Sequence, residues 1–278
     1  MRRPFADSPE FLRLIAGERP VDLARVALEI ALDADPSVDI EACLIRIASL
    51  ANRVRERCPS EARPKSILGQ INWVLFVEEG FRGNEAEYYD PRNSYLNEVL
   101  DRRAGIPISL SVLYAGVAAP LGLELGGVDL PAHFMLRLAG AEPPLFVDAF
   151  HSGALLDRAG CVRQVSRSIG WTVDISDDRM ALCDPAATVA RMLRNLKAIH
   201  LRAGDYATAL PVARRLAAVE PANLEEVRDW GLLAYQTGHP GEAIDPLSRY
   251  AAECGDAPDA STMTSLLRAA RREMAKNN

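Results

Sequence analysis

The sequence predicts an α+β chain with an all-α C-terminal region. Apolar residues recur at helical spacing from residue 9 to about residue 80. Short apolar segments bounded by Gly and Pro follow at 123–129, 132–138 and 144–150, as strands would. From about 185 the pattern is helical again and repeats itself at a fixed offset. Helices first and strands after place the two kinds of structure in separate layers, which is the α+β arrangement.

In the first part, "PEFLRLIAGE" opens after Ser8, an acceptable helix cap. "PVDLARVALEIALDAD" sets Leu23, Val26, Ala27 and Ile30 on one stripe, and "DIEACLIRIASLANRVRERC" does the same with Cys43, Ile47 and Leu50. Cys43 then belongs to a core, as a small hydrophobe. Pro59 and Pro64 bracket a break, and "KSILGQINWVLFVEEGF" forms a further amphipathic helix ending near Gly80. A polar loop, "RGNEAEYYDPRNS", is rich in turn formers. "SYLNEVLDRR" reads as a helix capped by Asn93 or Ser94, and "GIPIS" breaks it. Pro107 stiffens the approach, and Ser109 opens the next helix, "SLSVLYAGVAAPLG".

The bulk properties narrow the function. A chain of 278 residues has room for one large domain or two modest ones. With 49% hydrophobic and 25% charged residues it can bury an ordinary core. A net charge of −6 gives no support to nucleic-acid binding, and the basic run "RMLRNLK" reads as a solvated helix face. No apolar run reaches the roughly 18 residues of a membrane span. No apolar stretch follows the arginines of "MRRPFADSPEF", so no secretory signal is expected. The cysteines at 43, 58, 161, 183 and 254 are odd in number and scattered, which predicts neither a disulfide framework nor a metal site, and a reducing cytoplasm. "GLELGG" has neither the Lys nor the strand-to-helix context of a nucleotide loop, and no cofactor is expected.

The most specific physical signal is the repeat. "GDYATAL" begins at Gly204 and "GHPGEAI" at Gly238, and 238 − 204 = 34 residues, the tetratricopeptide period. Leu193 falls in register with Val227, Leu196 with Trp230, Ala209 with Ala243 and Ala213 with Leu247. The glycines turn the chain between paired helices, and the alanines let those helices approach. Pro221 ends the first repeat; Gly255 stands at that place in the second. The repeats span about 190–223 and 224–257. Two are fewer than the three or so that stand alone, so the units need further support, and the helix at 258–275 fits a cap with a polar outer face.

The phrases "FRGNEAEYYDPRNSYLNEVLDRRAGIPISLSVLY", "LPAHFMLRL" and "PLFVDAF", followed by "RMLRNLKAIHLRAGDYATAL", resemble the bacterial SirB-type family over roughly 65–253. The resemblance implies a papain/transglutaminase-like core, helices plus a small antiparallel sheet, over 1–180, with its helical N-terminal part. A tetratricopeptide region over 185–278 would follow. In active members of that fold a cysteine opens a helix, a histidine follows on a strand and an aspartate on the next strand. The resemblance puts Ser109 at the cysteine, His133 at the histidine and Asp148 at the aspartate.

The residues leave three readings open. In the first, Ser109, His133 and Asp148 are the hydrogen-bonded relic of a triad, and the protein works by binding a protein or peptide on its tetratricopeptide surface. In the second they form a working serine-dependent hydrolase or acyl transferase of the peptidase or amidase type. That requires general-base removal of the hydroxyl proton and Ser109 within about 3 Å of His133. In the third, Ser109 only caps a helix and His133 is a satisfied core histidine. Cys161 follows the strands, in the wrong chain order to replace the nucleophile. Asn93 and Asn97 are candidate oxyanion donors, and Arg102 and Arg103 candidate cations, although capping and a solvated turn account for them as well. Tyr88 and Tyr89 read as cover for the core. His151, His200 and His239 each stand alone in the sequence and read as packing.

Overall fold

A computed structural model describes residues 5–276; Arg2 and Arg3, on which the signal-peptide argument rests, lie outside them. The chain divides into two compact units, 1–192 and 193–278. The division falls later than the composition change near 185.

In the first unit, α1 (Pro9–Ile15), α2 (Leu23–Ala31), α3 (Ile40–Arg57) and α4 (Pro64–Asn72) come first, and α4 continues as a π-helical turn over Trp73–Glu78. The aspartates before α2 and α3, Asp22 and Asp39, accept from first-turn amides, as N-caps should. Ser8 occupies the N-cap of α1 without a side-chain capping bond. Glu29, fully buried on α2, accepts from the amides of Glu10 and Phe11 instead, at 3.0 and 2.7 Å. The expected stripes face the core: Val26, Ala27, Ile30, Cys43, Ile47 and Leu50 are buried, and Leu23 is partly so.

Two-residue strands β1 (Arg82–Gly83) and β2 (Ala104–Gly105) pair in parallel on either side of α5 (Leu96–Arg102). The N-cap position of α5 is Tyr95, not Asn93 or Ser94 as expected, because Pro91–Asn93 forms its own 3₁₀ turn capped by Asp90. Next comes α6 (Pro107–Ala118). Its residues are mostly apolar all round, as a buried helix requires, and only Ala115 and Gly116 are partly exposed. It lies in the middle of the largest core cluster, among residues of α2, α3, α4, α5 and the sheet.

The sheet contains β3 (Leu125–Leu130), β4 (His133–Leu138), β5 (Phe146–Asp148) and β6 (Ala154–Leu156), antiparallel and in sequential order. Three of these are the expected strands; β6 was not anticipated. Nor was α7 (Arg158–Ile169), although Asp157 caps its first turn and Gly170 closes it, both legible signals. Val128, Leu130, Met135 and Phe146 form a second small core with Cys161 and Val165 of α7.

Helix α8 (Pro185–Ala203) runs across the division. The second unit continues with α9 (Tyr206–Val219), α10 (Leu224–Gln236), α11 (Pro240–Glu253) and α12 (Ala260–Lys276). Gly204 and Gly238 take φ of 71° and 80°, the left-handed turn the repeat requires of them. The residues aligned at the 34-residue offset are buried together, Trp230 only partly. Met263, Leu267 and Ala270 of α12 close the cluster begun by Ala209, Ala213, Ala243 and Leu247, as a cap should. No helix among the described residues is long and apolar enough to cross a membrane.

Candidate functional site

Ser109 is the third residue of α6, after Ile106 at the N-cap and Pro107 at the first position. A hydroxyl there can reach back to the free amide of the N-cap residue. It does so: the Ile106 amide donates to Ser109 Oγ at 3.1 Å. The hydroxyl in turn donates to the Asn93 carbonyl at 2.6 Å, closer than the Ile106 carbonyl at 3.1 Å. The residue is 1% exposed. A Cβ on Gly105 would stand 2.8 Å from Ser109 Oγ, so the strand needs glycine at that approach. Among the described residues no hydrogen bond joins Ser109 to His133.

His133 and Asp148 are brought together. The antiparallel pairing of β4 with β5 sets the start of one strand beside the end of the other. His133 Nε2 lies 2.9 Å from Asp148 Oδ2, with His133 4% and Asp148 0% exposed. A third group completes this cluster. The three-residue turn after β5 returns His151 to the same carboxylate oxygen, with Nδ1 at 2.8 Å. His151 does not stand alone, as the sequence suggested. The spacing D-x-x-H across a turn was the signal that could have found it. Burial alone would raise the Asp148 carboxyl, but hydrogen bonds from His133 and His151 outweigh it and hold the group well below the usual carboxylate range. The same bond from Asp148 raises His151. His151 keeps 37% of its side chain exposed, and the Gln164 amide of α7 lies 3.2 Å from its Nε2. Phe150 stands edge-on to both histidines and to Tyr88.

Most of the other candidates are committed elsewhere. Asn93 Nδ2 donates to the Glu87 carbonyl at 2.6 Å, and Asn93 Oδ1 accepts from Asn84 at 3.0 Å. Asn97 Oδ1 is buried without a hydrogen-bond partner. Arg102 pairs with Asp90 at 3.2 Å and Arg103 with Glu79 at 2.9 Å. Tyr88 packs against the main core, while Tyr89, expected to cover it, is 61% exposed. Cys161 is fully buried and its thiol is pushed up to about 12, chiefly by that burial. His200 faces Asp205, and His239 the Thr237 hydroxyl.

A core with a histidine on one strand bonded to an aspartate on the next, followed by paired helices, defines a class of two-part protein. Known sequences fill in the family. The profile of the transglutaminase-like superfamily matches residues 41–194, and that of the tetratricopeptide repeat matches 196–268. A UPF0162 protein of Xylella fastidiosa (strain 9a5c) is 34% identical over 238 residues, 84% of each chain. A UPF0162 protein of Vibrio cholerae is 25% identical over 244 residues, 87% of this chain and 90% of its own. F-box only protein 21 of Mus musculus is 43% identical over 103 residues, 34% of this chain and 16% of its own. The chain therefore belongs to the transglutaminase-like superfamily and, within it, to the UPF0162 proteins. No solved structure matches it.

Proposed function

We propose that this chain is a non-catalytic transglutaminase-like protein of the SirB type, acting through a protein or peptide partner held by its tetratricopeptide region. One observation carries the first half. The hydroxyl at the nucleophile position has a single proton, and that proton is given to the Asn93 carbonyl at 2.6 Å while the oxygen accepts from Ile106. Attack on an acyl carbon needs that proton passed to a base and that oxygen free to advance. Ser109 offers neither, and turning the side chain toward His133 would break its bonds to the Ile106 amide and the Asn93 carbonyl. His133 and Asp148 keep the arrangement of a base and its orienting acid, but have no nucleophile to serve.

The repeat profile over 196–268 supports the second half, since stacked helical hairpins of this kind present extended surfaces to partners. The five free cysteines suit a reducing cytoplasm.

The test is cross-linking in the cell with tagged wild type and Ser109→Ala, mapping the linked peptides. The reading predicts the same partners for both proteins, with links within 193–276. Links confined to 5–192, or partners lost with the hydroxyl, would contradict it.

A further inference from the structure

His151 is surplus to a triad, which uses one histidine, yet it is directed at the triad's aspartate. We propose that His133, Asp148 and His151 form a binding site for one divalent transition-metal ion of the zinc class. The donor atoms, one from each side chain, all lie within 4.8 Å of one another. Asp148 Oδ2 lies 2.9 Å from His133 Nε2 and 2.8 Å from His151 Nδ1. Adjacent ligands on a tetrahedral ion with bonds of about 2.1 Å sit about 3.4 Å apart, so these two edges need widen only by roughly half an ångström.

The third edge, between the imidazoles, closes by a small movement of His151. That movement is available because His151 is on a solvent-facing turn, whereas His133 and Asp148 are fixed in the sheet. The ion takes the place of the two ring protons now directed at Oδ2. Each imidazole binds as a neutral ligand with its proton on the other nitrogen: a neutral ring moves its proton there, and an imidazolium releases one proton to water. Two imidazoles and one carboxylate favour zinc, cobalt or iron over magnesium or calcium, which prefer oxygen. Three protein ligands leave at least one position open, on the side that His151 and Gln164 border. Cys161, buried with a raised thiol pKa, adds no thiolate. The site uses neither Ser109 nor the helical unit, and it rests on the reading that His133 and Asp148 do not serve a nucleophile.

The test uses the full chain, stripped with a chelator and dialysed against Zn²⁺. Bound metal is counted by elemental analysis, and affinity is measured by titration with Co²⁺ followed through its visible absorption. The expected result is one ion per chain. His151→Ala, a change at an exposed side chain, should weaken binding at least roughly tenfold, since even partners outside the coordination shell are worth that much. Asp148→Asn should abolish binding, with circular dichroism to verify folding; if that variant does not fold, His151→Ala decides alone. No stoichiometric ion in the wild type, or equal affinity in His151→Ala, would overturn the proposal.

Discussion

A serine at the third position of a buried helix serves either as an internal cap or as an activated nucleophile, because it has one proton to give. Ser109 is committed to the first. Ser109→Ala removes the hydroxyl from between the Ile106 amide and the Asn93 carbonyl, in a place closed to water, and leaves them only their long direct bond of 3.4 Å. It is expected to lower stability by about 1–3 kcal/mol, read from the urea midpoint. A neutral or stabilising result would mean those groups are satisfied without it. His200 makes a second prediction. Burial lowers its pKa against the opposing pull of Asp205. The unfolded imidazole takes its proton near about pH 6.5 and the folded one only at lower pH. Across that interval the unfolded chain holds more protons, so stability falls as pH drops. The melting-temperature difference between wild type and His200→Phe should therefore shift in favour of the variant from about pH 7.5 to about pH 5. Ser109 at a helix start, and His133 and Asp148 on successive strands, were legible from their motifs. The contacts of His151 leave a weaker mark, the D-x-x-H spacing alone, because a three-residue turn has no periodicity to read.

At the scale of elements, near-uniform apolarity marks α6 as a buried helix, and short apolar runs between Gly and Pro mark the strands. The hairpin β5–β6 depends on a contact the sequence hides. Asn72, at the end of α4, donates to the Gly153 carbonyl at 2.8 Å and accepts from the Tyr114 hydroxyl of α6 at 2.8 Å. Gly153 has φ 72°, and a Cβ there would stand 1.9 Å from Asn72 Oδ1. Gly153→Ala therefore meets both backbone strain and a collision, and should cost roughly 3 kcal/mol. Adding Asn72→Ala should recover part of that loss; an additive double variant would show that the collision is not the cause. Helix α7 escaped notice because half its residues are polar, although its Asp157 and Gly170 caps were readable. The π-helical turn over 73–78 leaves no mark in the sequence pattern.

On the scale of the whole molecule, the 34-residue offset revealed the helical unit because each repeat must bury the same face against its neighbour. Leu247 shows this: it is fully buried, and a Cβ on Gly231 of α10 would touch it at 2.8 Å. Leu247→Ala should cost about 2–5 kcal/mol, with lost hydrogen-exchange protection confined to 193–276 if that unit opens by itself. Spread of the loss into 5–192 would mean the two units unfold as one. An ion-paired arginine recurs at the repeat offset, with different partners: Arg194 pairs with Glu220 and Glu226, and Arg228, 34 residues on, with Asp229 and Asp259. A structural role for Ser109 is the premise of a non-catalytic protein. The most direct measurement is intact-mass analysis of the purified chain after treatment with a fluorophosphonate probe, beside Ser109→Ala. No adduct on either protein is the predicted result. An adduct on wild type that disappears in Ser109→Ala would show an activated serine and contradict the account.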